Sequence, residues 1–445
     1  MRSNVPDRRF TSLIARFFLL LFLPFNLGHA GEANWTAGQP GENLAIALVT
    51  FGPGEEIWER FGHNALLVED RNTGEARTYN YGIFDFGEAD FLPNFLRGIM
   101  RYRMDVNDAD RDLAVYMAEG RWIQRQDLNL SPAQRLKLDQ FLQWNLHPEN
   151  THYRYEYFRS NCSTKVRDAL NLALGNTLHL QTASPSRGFS YRMDALRLMR
   201  PEFWAMIGMD IGLGPLADQR LSFWDESFVP TELMRHLREL SVHDDAGQSV
   251  PLVARDVLLA RAAIPDPPEF APYWVWQFFA IGIAFSLLLI WLAKRRDRSW
   301  ARYSLATLSS ISMLMLGLSG LLLIALWVFT EHQFAWRNEN LLLFNPLCLL
   351  LLPSWITSAR IRWLPSGFAR YLTVLIVVLA AFAWFAKILP WFPQDNRQWI
   401  ALLLPLHVAL LLAQSHARNR RGLITHPSRE KSAALVIAVA TSTAA

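Results

Sequence analysis

An exported α+β domain followed by an all-α bundle of about five transmembrane helices is the fold class this sequence predicts. Three observations carry it: a basic, apolar leader, a polar region of short alternating runs and helical stretches, and five apolar runs beyond Tyr273. At 445 residues the chain is long enough for two or more units.

The leader comes first. Arg8, Arg9 and Arg16 precede the apolar run Phe17 to Leu27, and Gly28-His29-Ala30 ends in a small residue, the pattern of a secretory signal over 1–30. Cleavage after Ala30 is expected, with an uncleaved anchor as the alternative. No Cys follows the apolar run, so the chain is not itself a lipoprotein. Arg2, Arg8, Arg9 and Arg16 against Asp7 supply most of the net charge of +4. The remainder is close to neutral and shows no basic face, which argues against nucleic acid as a partner.

The soluble domain is expected over 31–264. Ala45–Phe51 reads as a strand, Gly52-Pro53-Gly54 as a turn, and a second strand starts near His63. Asn72-Thr73-Gly74 is a turn signal, so Arg77–Phe84 returns as the partner strand of a hairpin. Asp108 to Asn145 looks helical, with Ser131-Pro132 as an internal start signal and Leu136, Leu138, Phe141 and Leu142 as the apolar face. A further helix runs from about Cys162 to Leu174 and ends at Gly175. The Pro-rich stretch at 265–272 links the two units.

The five spans fall at 273–293, 304–328, 340–357, 371–389 and 399–415, within a membrane domain at 273–417, with a tail at 418–445. Lys294, Arg295, Arg296, Arg298 and Arg302 follow the first span, and Arg360, Arg362 and Arg370 the third. Arg418, Arg420, Arg421, Arg429 and Lys431 lie in the tail, whereas the other two loops hold only Arg337 and Arg397. The positive-inside rule puts the three basic segments in the cytoplasm and the soluble domain outside. A multi-pass protein of the inner membrane with a periplasmic domain is the expected location.

Two cysteines exist, Cys162 in the polar half and Cys348 within an apolar run. They are placed too differently to staple one domain, so Cys162 is a free thiol. In Arg159-Ser160-Asn161-Cys162-Ser163-Thr164, Ser160 or Asn161 can cap the following helix and set the thiol at its N-terminus. That end favours negative charge, so it is expected to lower the thiol pKa and offer N–H groups to an oxyanion. A small buried Cys is the plainer reading.

A thiol nucleophile needs a base. His63, in Arg60-Phe61-Gly62-His63-Asn64, is the best candidate, and Asn80 is expected diagonally opposite it on the same sheet face. There Asn80 would hold the imidazole tautomer as the third member of a thiol triad. Tyr79 or Tyr81 would take that place after a one-residue slip. A zinc site from His63, Cys162 and either His147 or His152 lacks close ligand spacing, so no metal or other cofactor is expected.

Phe61-Gly62-His63-Asn64-Ala65, Tyr79 to Phe86 and Tyr155 to Asp168 together resemble the Lnb N-terminal periplasmic domain family, as do Arg220 to Trp224, Phe228-Val229-Pro230 and Asn345-Pro346. The family is similar to circularly permuted papain-like thiol enzymes, in which His precedes Cys, so a permuted papain-like domain is implied. The resemblance also implies a lipoprotein N-acyltransferase: a membrane phospholipid gives an acyl chain to Cys162, with His63 as base, and the amine of a lipid-modified N-terminal Cys on a lipoprotein accepts it. Two alternatives stand beside it. One is a thiol hydrolase, either a lipase or a peptidoglycan amidase or peptidase, and the other is a non-catalytic envelope protein.

Three residues are expected at the substrate. Asn345 breaks a span together with Pro346, as a lipid groove or as a packing kink. Arg101, among Arg97, Arg103 and several apolar residues, suits a phosphate headgroup, although a solvated face would look the same. Tyr81 lies at the same strand end as Asn80.

Overall fold

The computed structural model describes residues 38–425; the leader and the chain from 426 onward lie outside the described residues. The sheet domain contains β1 (Leu44–Phe51), β2 (His63–Asp70), β3 (Glu75–Ile83), helix α1 (Phe91–Arg97), β4 (Met100–Asp108), α2 (Ala109–Ala118) and β5 (Ile123–Leu128). There follow α3 (Pro132–Leu146), β6 (His152–Tyr155), α4 (Cys162–Ala173), α5 (Tyr191–Leu198), α6 (Phe203–Gly212), α7 (Pro230–Glu239), the small hairpin β7 (Ser241–His243) and β8 (Ser249–Pro251), and β9 (Val253–Ala260).

Seven strands form one antiparallel sheet in the order β6-β4-β3-β2-β1-β5-β9. Its centre is apolar on both faces, which explains the unbroken run Leu-Ala-Ile-Ala-Leu-Val in β1. Ile46 and Leu48 enter the core shared with α3, α4 and α7. Ala47, Val49 and Phe51 turn to the opposite core, under α2. Helix α4 packs on the first face through Val166, Ala169, Leu170 and Ala173, a stripe at helical spacing. It stops where Gly175 and Asn176 both take left-handed backbone.

The hairpin β2–β3 turns at Asn72-Thr73-Gly74 as expected, with Ala65 opposite Asn80. The reading of Asp108 to Asn145 as helix is corrected, because β5 lies between α2 and α3. Ile-Gln-Arg-Gln-Asp-Leu has no clear alternation and no local hairpin partner. Its pairing is with β1 and β9, the latter some 130 residues away, so only tertiary structure makes it a strand.

The helical part contains α8 (Val275–Lys294), the 31-residue α9 (Ser299–Phe329), α10 (Gly367–Phe385) and α11 (Arg397–Thr425). These four are long and apolar enough to cross a membrane. A fifth candidate, predicted as one span at 340–357, is instead two segments, Gln333–Leu342 and Pro346–Thr357, bent by 43° at the break. Pro346 has no N–H to give, and the Asn345 side chain caps the new start by accepting from Leu347 N at 3.0 Å. Gly317 and Gly320 of α9 make room for the break: a Cβ on Gly320 would lie 2.3 Å from the Phe344 carbonyl oxygen.

The sheet domain is docked on this bundle by named polar contacts. The segment leaving α9 reaches back at once, with Glu331 N donating to Arg97 O at 2.7 Å. Asn338 Nδ2 donates to the carbonyls of Ile211 and Gly212, both at 2.9 Å, and Trp399 Nε1 to Asp210 Oδ2 at 2.9 Å. Asp210 in turn holds buried Arg192, which also binds Asp218. The end of α6 is thereby fastened to the bundle by hydrogen bonds that are buried or nearly so.

Candidate active site

Helix α4 begins at Cys162 because Asn161 is a complete N-cap. Its side chain accepts from Thr164 N at 2.9 Å, and Thr164 Oγ1 accepts from Asn161 N at 2.8 Å. The cap occupies the third helical N–H, and those of Cys162 and Ser163 are left to act on the thiol. The Asn161 amide is itself held by the carbonyls of Tyr157 at 2.9 Å and Phe228 at 2.8 Å. Ser163 Oγ donates to Ser227 O at 2.6 Å and accepts from Asn64 Nδ2 at 3.0 Å. The Phe228-Val229-Pro230 stretch thus locks the thiol-bearing helix end in place.

The sheet opens where the thiol arrives. Pairing of β2 with β3 ends at Ala65 and Asn80, and β3 then bulges between Tyr81 and Ile83. Gly82 has φ of 89°, which only glycine adopts without strain, and its hydrogens face Cys162. Three backbone N–H groups, those of Asn64, Ser163 and Cys162, point at the sulfur. His63 is the residue before Asn64, so the predicted base and the predicted nucleophile lie at the same end of the β2–β3 ladder. Arg121, held by Gly52 O and Glu119, lowers the pKa of both groups, and Tyr116 stacks on His63.

His63 bonds Asn80 through Nε2 and Oδ1 at 2.9 Å. The roles in that bond follow from the next one. Asn80 Nδ2 donates to Asp112 Oδ2 at 2.9 Å, so the oxygen of the amide faces the ring. An amide oxygen only accepts, hence Nε2 carries the proton and Nδ1 keeps its lone pair. Asp112 is buried and also accepts from Thr78 Oγ1 at 2.7 Å and Asn107 Nδ2 at 3.2 Å. The three donors hold its carboxylate, and through Asn80 it sets the histidine tautomer.

The electrostatics correct one expectation. Burial pushes the Cys162 thiol up to about 11, outweighing the N–H groups and Arg121, which pull it down. Burial likewise drives His63 down to about 4, against the Asn80 hydrogen bond, while Arg121 adds to the lowering and Asp112 opposes it. The helix terminus was expected to yield a thiolate. Desolvation wins even though both side chains are only half-buried, and at neutral pH the pair rests as thiol and neutral imidazole.

The other predicted residues are placed as follows. Tyr81 is fully buried in the core opposite His63, its hydroxyl donating to Asn145 Oδ1 at 2.8 Å, so it cannot line a substrate surface. Tyr79, in the same core, has its hydroxyl bonded by Gln143 and is no triad member. Asn345 is buried and its side chain caps the broken span, which favours the packing kink over the groove. Arg101 is exposed on β4, opposite Arg154. His147 ends α3, and His152 pairs with Arg103 in the sheet. Sequence reasoning missed Asp112, Arg121 and Ser163. Asp112 reads as one more acid in a helical first turn, and only its burial beneath β3 sets it apart.

The thiol is also fixed relative to the bundle. Tyr157 bonds His332 Nδ1 through its hydroxyl at 3.0 Å, and Phe158 packs on Phe334 with ring centroids 4.6 Å apart. Both belong to the loop that delivers Asn161 and Cys162, and both partners lie just past the end of α9. Residues 32–200 match the family model described as the Lnb N-terminal periplasmic domain, and residues 268–418 that of the Lnb transmembrane domain. No curated protein and no solved structure matches. With both halves present in this order over most of its length, the chain belongs to the Lnb family and is a multi-pass membrane protein with a periplasmic domain.

Proposed function

We propose that this protein is a cysteine-dependent acyltransferase that moves an acyl chain from a membrane phospholipid to the N-terminus of a lipoprotein. The observation that carries the proposal is the clamp between Tyr157-Phe158 and His332–Phe334, which sets a capped helix-terminal thiol beside the mouth of a membrane span. A thiol enzyme acting on soluble wall peptides has no need of that placement. Both proposed substrates are rooted in the outer leaflet of the inner membrane, where such a thiol meets them.

The chemistry follows from the site. Cys162 Sγ attacks the ester carbonyl of the phospholipid as its proton passes to Nδ1 of His63. The N–H groups of Cys162 and Ser163, which the Asn161 cap does not use, pass from the sulfur to the developing oxyanion as the sulfur is acylated. Collapse breaks the ester bond, and the departing alkoxide takes the proton back from His63, leaving an acyl thioester and a lysophospholipid. The lipoprotein amine then attacks the thioester, loses its proton to His63 and becomes an amide, and the released sulfur is reprotonated. Asn80 keeps Nδ1 facing the reaction throughout, and Asp112 keeps Asn80 in place.

The test is mass spectrometry of lipoprotein N-termini in a strain whose only N-acyltransferase is this protein. The proposal expects N-acylated termini with the intact chain and free amines with Cys162→Ala. Unchanged termini in the variant refute it, and lysophospholipid formed without acylated acceptor points to a lipase instead.

A further inference from the structure

A second feature on the bundle side of the site is apolar and outward-facing. Between β3 and β4 the chain carries Phe84, Phe86, Phe91, Leu92, Phe95 and Leu96, mostly exposed on and around α1. The β1–β2 loop adds exposed Ile57 and Trp58, and Trp58 meets Phe86 edge-on with ring centroids 5.5 Å apart. Phe86, Phe84 and Phe91 continue the cluster at 4.9 to 5.6 Å. Leu92 is 61% exposed and Leu96 60%, more than a lone surface leucine needs explaining, because they form one patch with the aromatic rings.

What lies against this patch follows from its attachment. Helix α1 is fastened by its C-terminal end to the residues that leave α9: His332 Nε2 bonds Phe95 O at 3.0 Å, and Glu331 N bonds Arg97 O at 2.7 Å. A Cβ on Gly98 would come within 2.8 Å of His332 N, so the backbones are in close contact there. The last residues of α9, Val328 and Phe329, are themselves exposed and apolar. The patch therefore continues the lipid-facing surface of a span at its outer end. Its inner end is the active site, because Phe84 and Ile83 follow directly on Gly82 beside Cys162.

We infer that α1 and the Trp58–Phe86 cluster form a rim inserted in the acyl region of the outer leaflet, across which a lipid chain slides from the bilayer to Cys162. An interfacial helix with an apolar face, a neighbouring Trp and an Arg at its end suits this depth. Glu88 and Asp90 precede the helix, and Arg97 closes it, so charged groups flank the apolar stretch at headgroup level. Passage of the chain to the thiol rests on the acyl-transfer reading, whereas insertion of the rim does not.

The experiment reads depth directly. The full-length protein carrying Cys162→Ser and Cys348→Ser takes a nitroxide at Leu92→Cys, with Thr73→Cys on the β2–β3 turn as an aqueous reference, in nanodiscs of phosphatidylethanolamine and phosphatidylglycerol. Relaxation by oxygen and by a water-soluble nickel chelate is compared. The inference expects the Leu92→Cys label to be relaxed several-fold more by oxygen, relative to nickel, than the Thr73→Cys label. Equal accessibility of the two labels to nickel overturns it. So does protection of Leu92→Cys that rises with protein concentration, which would mark a second copy as the occupant. A second arm keeps both native cysteines and changes Leu92 and Leu96 to Ser. Use of bilayer phospholipid is expected to fall about tenfold relative to use of a soluble short-chain ester. An equal fall for both substrates overturns the delivery step, and a protein inert to both esters refutes the acyl-transfer reading while the depth measurement still decides insertion.

Discussion

Asn80 Oδ1 faces His63 Nε2 at 2.9 Å only because Asp112 holds the other end of the amide. This relay fixes which ring nitrogen is free to accept a proton, and its consequences are measurable. Asn80→Ala removes one hydrogen bond to the ring, worth about 1–2 kcal/mol, so turnover should fall roughly tenfold or more. Asp112→Asn keeps the volume but lets the Asn80 amide turn over. It should lower turnover while leaving KM for phospholipid within about twofold, a split that a merely structural role would not produce. Nitrogen-15 spectra of His63 should show the Nε2-protonated tautomer in the wild type and a mixture in Asp112→Asn.

The resting charge state gives a second expectation. A thiol held at about 11 is protonated below that pH, and a histidine held at about 4 is neutral above it. The alkylation rate of Cys162 by iodoacetamide, measured in Cys348→Ser, should therefore climb about tenfold per pH unit from 6 to 9. A preformed thiolate–imidazolium pair would give a plateau across that range.

Gly82 is a structural test of how the thiol is seated. Gly82→Ala forces a left-handed backbone on an L-residue and crowds Cys162. A loss of about 1–2 kcal/mol is expected, visible as a lower Tm, together with a drop in turnover. Gly74→Ala, also left-handed but with nothing near it, should cost similar stability and spare turnover.

The cap at Asn161 predicts a similar coupling. Asn161→Ala removes the N-cap and both bonds to the Tyr157 and Phe228 carbonyls, so it should cost about 2 kcal/mol or more. It should also slow thioester formation, because the Cys162 and Ser163 N–H groups lose their alignment. Asn161→Asp restores an acceptor for Thr164 N but sets a buried carboxylate against two carbonyl oxygens, so it should recover little of the stability. It cannot donate to Tyr157 O and Phe228 O, so its turnover should stay reduced.

Much of this arrangement was legible in the chain and some was not, for identifiable reasons. The hairpin register followed from Asn72-Thr73-Gly74, because a short turn leaves one pairing that buries one face, and so Asn80 could be set against His63. The start of the Cys162 helix followed from its cap residues. The pKa of the thiol did not, since burial depends on what the rest of the chain lays over it. Strand β5 and the Asp112 relay were hidden for the same reason: both depend on partners distant in sequence. Asn345-Pro346 announced a break in a span. Whether that break lines a groove or packs on Gly317 and Gly320 was decided by neighbours no local pattern names.

The central claim is that Cys162 carries the acyl chain. Protein incubated with phospholipid and no acceptor, then digested and analysed by mass spectrometry, tests it most directly. The account predicts one acyl group on the Cys162 peptide, removed by neutral hydroxylamine and much reduced in His63→Ala. Acceptor acylation proceeding at full rate while Cys162 stays unmodified, or in Cys162→Ala, would contradict it.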